Sequence, residues 1–225
     1  PSFAIGIPSI NRFDLLGLRM AAYIKNFQGT EIHIWDNGKQ DRKELGFASK
    51  TLPYNLDLPF NLTIHNPTFP IGVAASWNKL CKVIFEKHTH ALILNDDIYS
   101  GKKEADILKF ILETEKITVA VADHGHWSTF LLSRLIYGKV GPFDTKFYPA
   151  YYEDNDYAYR LKLMGFNHTT HVELNPEIFR NSQTIAKDPS LNSRFTDNMN
   201  YYVQKWGGMP DNEVFLAPFN SPDRF

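Results

Sequence analysis

Short apolar runs alternate with amphipathic stretches over the first 122 residues, and this alternation constrains the fold more than any other feature of the chain. Phe3 to Ile7 is an apolar run closed by Pro8. From Asp14 to Phe27, the residues Leu16, Met20, Tyr23, Ile24 and Phe27 recur at helical spacing. Glu31 to Trp35 alternates polar and apolar, then stops at Asp36-Asn37-Gly38, a strong turn signal. Leu62 to His65 reads as a further short strand. Gly72 to Lys87 sets Val73, Trp77, Leu80 and Ile84 on one helical face, with Cys81 and Phe85 beside them. Ala91 to Leu94 is a buried strand, Ala105 to Glu115 a helix and Ile117 to Ala122 another buried strand, with Thr129 to Leu132 a strand after a loop. Strands alternating with helices in this way predict an α/β fold around a mostly parallel sheet. At 225 residues and 43% hydrophobic content the chain suffices for one large domain, and no repeat or linker divides it.

Charge and composition remove several functions. The net charge is -1, from 24 basic and 25 acidic residues, which offers no electrostatic footprint for nucleic acid or an acidic membrane surface. No stretch approaches the ~20 apolar residues needed to span a bilayer, and no charged-then-apolar leader precedes the first strand. A start at Pro1 without methionine fits a piece of a larger multidomain chain. Cys81 is the one cysteine, so an internal disulfide is excluded and a reducing, cytoplasmic setting is expected. The sequon matches at Asn61 and Asn167 are short enough to arise by chance.

In parallel sheets, ligands bind beyond the carboxyl ends of the strands. Asp36, and Asp96-Asp97 in "ALILNDDIYSGKK", both follow strand ends and should share one rim. Charge this close to a core strand is costly unless it is paired, hydrogen-bonded or bound to a metal. The plain alternative is a strand-ending turn. Asp36 is a base-pocket candidate and Asp96-Asp97 a metal or phosphate candidate. Neither GxGxxG nor GxxxxGK[ST] is present, so phosphates on this rim would need a divalent cation held by carboxylates. A second dense patch is "FDTKFYPAYYEDNDYAYRLKLMGF", residues 143 to 166. There Glu153, Asp154 and Asp156 crowd the start of a helix, where acids are favourable, and Asp156 can pair with Arg160 at i,i+4. Phe147, Tyr148, Tyr151 and Tyr152 precede them. Rings that cover the apolar faces of a sugar, next to acids that take hydroxyl protons, make a carbohydrate pocket. A core aromatic cluster is the competing reading.

Taken in order, these segments resemble the GT-A-fold nucleotide-sugar glycosyltransferases of the family-2 type, over about residues 3 to 170. The carriers are the first strand with Pro8, Asn11 and Arg12; "IHIWDNG"; "NPTFPIGVAASWNK"; "LILNDD", similar to the DxD element; and "VGPFDTKFYPAYYEDNDYAYRLKLMGF", which ends in an acidic ED pair. The resemblance implies a GT-A fold, with a Rossmann-like, mostly parallel central sheet flanked by helices. It also implies one domain over 1–225, its nucleotide-binding half about 1–100 and its acceptor-binding half about 101–225. The implied reaction is an inverting transfer from a nucleotide sugar, a UDP-sugar by default, to a hydroxyl of a glycan or glycoprotein acceptor. Pro8, Arg12, Asp36, Asn37, Asn78, Asn95 and Asp96 are then donor-binding residues. Asp97 is the ligand to Mn²⁺ or Mg²⁺, and Asp154 the general base. Glu153, Trp127 and Tyr152 face the acceptor or sugar. Two departures stand out: Trp77 sits where many members carry Arg, and Asn95 replaces the first Asp of the DxD element. The Asn-first form is reminiscent of members that transfer rhamnose, which keeps a deoxysugar donor open. Residues 171–225 match no pattern. A looser resemblance is to virus-encoded glycosyltransferase domains of large algal viruses, which would act in the host cytoplasm.

Two other classes remain open at this stage. His88, His90, His124 and His126 with Asp96-Asp97 would suit a dinuclear metal-dependent hydrolase, although His90 begins a strand at the end opposite the Asp pair. His124, His126 or His171 would also serve as a further ligand in a transferase. The third class is a catalytically silent nucleotide-sugar-binding module.

Overall fold

The computed structural model describes residues 2–40, 62–98, 102–114, 119–122, 127–166, 168–171 and 183–221. Its strands are β1 (Phe3–Ser9), β2 (Ile32–Asp36), β3 (Leu62–His65), β4 (His90–Leu94), β5 (Val119–Ala122), β6 (Thr129–Ser133) and β7 (Thr169–His171). The helices are α1 (Phe13–Asn26), α2 (Gly72–Phe85), α3 (Lys102–Thr114), α4 (Arg134–Val140), α5 (Glu153–Leu163), α6 (Gln183–Lys187) and α7 (Phe195–Trp206). Residues 117 and 118 of the expected fifth strand lie outside the described residues, as do His124 and His126.

Among the described residues the strands form one sheet in the order β3-β2-β1-β4-β6-β5-β7. β3, β2, β1 and β4 pair in parallel, and β5 pairs in parallel with β7. The expectation of a mostly parallel sheet holds. β6 runs antiparallel to both β4 and β5. The reason is connection length: residues 123–128 are too few for a parallel crossover, which needs a dozen or more, so the chain must turn back.

β1 continues through Pro8 to Ser9, two residues past the expected stop. A proline lacks the N–H of a ladder bond and is tolerated where one side of a strand is unpaired. Here the β4 pairing ends at Gly6, and only β2 accompanies Ile7, Pro8 and Ser9. Alternation along the strands divides the core. Ile5, Ile7, Leu92, Leu94 and Leu131 face α1 and α3. Ala4, Ala91, Ile93, Phe130 and Leu132 face α2, α4 and α5. Gly6 lets α2 lie close: a Cβ there would stand 2.8 Å from Ile93 Cδ1 and 3.1 Å from Leu80 Cβ. A third apolar cluster joins α5 to α7 through Phe147, Tyr152, Tyr159, Tyr202 and Trp206. Within the stretch that matched no pattern, α7 therefore packs against the helix that begins at Glu153.

Candidate active site

The carboxyl ends of β1, β2 and β4 open onto a cavity of about 630 Å³. Pro8, Ser9 and Ile10 line it from β1, and Asn37 from β2. Asn95, Asp96, Asp97 and Ile98 line it from β4, while Gly72, Val73 and Trp77 come from the start of α2. Trp127 and Ser128, the turn Tyr148–Tyr151, Glu153, Asp154, and Thr184, Ile185 and Leu191 close the remaining sides. The rim predicted by strand order and the acidic start of α5 meet in this one cavity.

Asp96 is buried, 5% exposed, and accepts from the Ile10 backbone N–H at 3.2 Å and the Thr184 hydroxyl at 3.0 Å. Burial first, then the neighbouring Asp97 charge, pushes its carboxyl up to about 6. Asp97 is half-buried, and one of its oxygens accepts from Gln183 N–H at 3.2 Å. Two adjacent acids at a strand end, one of them desolvated, form a donor set that a divalent oxygen-binding cation would suit. Among the described residues no group of three or more His, Cys, Asp or Glu is gathered to hold a metal.

The acids at α5 are delivered by an unusual turn. Tyr151 and Tyr152 both have left-handed backbones, with φ of 80° and 71°. Such a conformation costs a residue with a Cβ about 1–3 kcal/mol and persists only where surrounding contacts impose it. Asn198 on α7 imposes it in part: its Nδ2, 2% exposed as a residue, donates to Ala150 O at 2.8 Å and approaches Tyr148 O and Tyr151 O at 3.3 and 3.4 Å. From the other side, Val73 N–H donates to Pro149 O at 2.8 Å. Gly72 allows that approach, since a Cβ would stand 2.8 Å from Tyr148 Cδ2 and 2.9 Å from Pro149 O. Glu153, Asp154 and Asp156 fall in the first turn of α5, where the helix dipole favours negative charge. Burial, and then the Asp154 charge, raises the Glu153 carboxyl well above its usual range. Asp154 is half-buried and accepts from Asn155 N–H at 2.8 Å.

Of the expected site residues, Pro8, Asn37, Asn95, Asp96, Asp97, Trp127, Glu153 and Asp154 line the cavity. Four do not. Asp36 is spent on its own turn, accepting from Gly38 N–H, Gln40 N–H and the Gln40 side chain at 2.8–2.9 Å. Arg12, 5% exposed, donates to Asp14 at 3.0 Å at the start of α1. Asn78 clasps Phe143, donating to its carbonyl and accepting from its N–H at 2.8 Å each. Tyr152 packs into the third cluster against Tyr202 and Phe195, and its neighbour Tyr151 takes the cavity position. Asn37 lines the cavity but also braces α2, through Ile71 N–H and the Ser76 hydroxyl. Trp77 lies edge-on to Phe130 and Phe143, so this position is here part of an aromatic floor. His90 begins β4 and is separated from Asp96 by the length of that strand, about 16 Å. His88 sits with Glu31 at 3.5 Å. The dinuclear arrangement through His88 and His90 is not formed. Sequence reading did not reach Thr184, Ile185, Leu191 or Asn198, which lie in the stretch without a recognised pattern.

No protein-family model matches the chain. A galactofuranosyl glycosyltransferase from Leishmania donovani is 34% identical over 84 residues, which cover 36% of this chain and 19% of that protein. The chain thus spans about a fifth of the curated relative it matches. A mannosyltransferase from Pyrobaculum calidifontis, solved with GDP-Man and Mn²⁺, superposes with a TM-score of 0.65 at 14% identity, over 94% of this chain and 66% of that one. Glucosyl-3-phosphoglycerate synthase from Mycobacterium tuberculosis, solved with Mn²⁺, UDP and phosphoglyceric acid, gives 0.62 at 13% identity, over 94% and 80%. The chain has the GT-A fold of these sugar transferases.

Proposed function

We propose that the chain transfers a sugar from a nucleoside-diphosphate sugar to an acceptor hydroxyl, with inversion at the anomeric carbon. The observation that carries this reading is the meeting of Asp96-Asp97 and Glu153-Asp154 in one cavity at the carboxyl edge of the sheet. The fold shared with two structures solved with Mn²⁺, and the stretch of identity to a galactofuranosyl glycosyltransferase, support it. Pro8, Ser9, Ile10 and Asn37 would form the nucleoside pocket, while Asp36 acts indirectly by shaping its loop. Asp97, with Asn95 and Asp96 beside it, would hold Mn²⁺ or Mg²⁺. When bound there, a divalent ion supplies Lewis-acid neutralisation of the charge that grows on the departing diphosphate.

Asp154 acts as general base. It takes the proton of the acceptor hydroxyl as that oxygen bonds to the anomeric carbon and the bond from that carbon to the diphosphate breaks. One in-line displacement inverts the configuration, whereas retention by double displacement would need a carboxylate nucleophile against the anomeric carbon. Trp127 and Tyr151, which line the cavity, would bound the sugar's apolar side, and Glu153 would bond a sugar hydroxyl. A UDP-sugar is the default donor. The acceptor is a glycan or glycoprotein, and the chain works as one part of a longer protein in the cytoplasm.

A melting panel tests the donor half of this reading: UDP-glucose, UDP-galactose, UDP-galactofuranose, GDP-mannose and dTDP-rhamnose, each with and without Mn²⁺. At ~100 times its Kd a ligand of the folded state contributes about 2.7 kcal/mol, which raises the melting temperature of a chain this size by about 5–11 °C. One or more panel members should do so only with Mn²⁺. A flat panel would remove the reading.

A further inference from the structure

We infer that Asn198, on α7, is a positioning residue for Asp154. The inference rests on the reading of Asp154 as general base and extends it to a helix that no recognised motif covers. The chain of contacts is direct. Asn198 is buried to 2% exposure on a helix anchored at its far end, where Lys205 Nζ meets Asp144 at 2.7 Å and Asp156 at 2.6 Å, and Trp206 Nε1 donates to Asp156 at 2.9 Å. Its side-chain amide has two hydrogens, and the carbonyls of Tyr148, Ala150 and Tyr151 all lie within reach of that one nitrogen, Ala150 nearest at 2.8 Å. These carbonyls belong to the turn that lines the cavity and forces Tyr151 and Tyr152 into left-handed backbones. Glu153 and Asp154 follow at once.

An aspartate or alanine at 198 withdraws the donor from three carbonyls that point at one spot. The turn is then free to relax toward ordinary backbone angles, and the first turn of α5 rotates with it. Donor groups on β1 and β4 do not depend on this turn. The consequence is selective. Displacing a reacting group by about 1 Å costs about 10² in rate, whereas binding to distant walls of the site is spared.

The test uses the panel member with the largest Mn²⁺-dependent melting shift as donor and water as acceptor, reading nucleoside diphosphate release. Asn198→Ala and the isosteric Asn198→Asp should lower kcat at least tenfold with the donor KM within about threefold of parental. Tyr202→Phe, which removes a hydroxyl bond to Glu213 from the same helix, controls for general loosening of α7 and should keep the parental kcat. Each variant is assayed well below its own melting temperature. Near-parental kcat in both Asn198 variants overturns the inference. So does a loss of kcat that tracks melting temperature equally in Tyr202→Phe, because Asn198 would then be purely structural. Asp154→Asn run in parallel separates the two levels: if it turns over normally, or if no panel member shifts melting, the parent reading falls and the positioning role falls with it.

Discussion

Asp156→Ala should be among the most damaging single substitutions outside the cavity. The Asp156 side chain is fully buried and accepts from Arg160 Nε at 2.9 Å, Lys205 Nζ at 2.6 Å and Trp206 Nε1 at 2.9 Å. Removing it does not strand all three donors equally. Arg160 keeps bonds to Val140 O and Pro142 O at 2.9 Å, and Lys205 keeps Asp144 at 2.7 Å. The Trp206 N–H loses its carboxylate contact, and the buried Arg160 guanidinium loses its ion pair while Lys205 keeps one acid. Breaking a buried ion pair from one side costs about 3–5 kcal/mol. For a chain of this size that lowers the melting temperature by about 6–20 °C. Urea unfolding followed by tryptophan fluorescence gives the free energy directly. Asp156→Asn, which keeps the shape and one acceptor, should fall between parent and alanine. A loss under 1 kcal/mol for the alanine variant would refute the claim that this carboxylate ties α5 to α7.

Asp97→Asn should abolish Mn²⁺-dependent stabilisation by the donor yet leave the unliganded melting temperature within about 2 °C, since the group lies at the cavity; undiminished donor stabilisation makes the acidic pair a strand stop only. Gly72→Ala should lower stability by about 1–2 kcal/mol through its left-handed backbone alone, φ +80°, and a melting temperature equal to the parent's would contradict the strain. Burial opposes ionisation of Asp144, but the Lys205 ammonium, the Lys146 N–H and the Tyr201 hydroxyl outweigh it and hold the carboxyl below its ordinary 3.8. A depressed folded value means stability that is present above about 3.8 and lost as pH falls through it toward the folded value. Urea midpoints measured from pH 6 to pH 3 should fall less steeply in Asp144→Asn than in the parent, and equal slopes would show that this pair contributes nothing.

Legibility followed periodicity. β1 and β4 were readable as short continuous apolar runs, and α1, β2 and α2 because each carries apolar side chains at a spacing of 3.6 or two residues. The direction of β6 was not, because an antiparallel strand buried on both faces has the same composition as a parallel one; only the short connection 123–128 distinguishes them. α7 carried a signal in Phe195, Met199, Tyr202 and Trp206, at helical spacing, but a periodic face does not say which helix it will cover. In the site, Asp97 and Asp154 were legible as acids at element ends. Asp36, Asn78 and Arg12 look the same in sequence whether they meet a ligand or satisfy nearby backbone and side chains, and in the folded chain they do the latter. Asn198 is invisible for the opposite reason: its three carbonyl partners lie 47 to 50 residues away and are backbone, so no side-chain pattern marks them.

The most direct test of sugar transfer through this cavity is the turnover of Asp154→Asn with its preferred nucleotide sugar. The amide keeps the shape of the acid and cannot take the acceptor proton, so kcat should fall by ~10²–10⁴ while donor affinity barely changes. Turnover within a few-fold of the parent would contradict the assignment of Asp154 as the base.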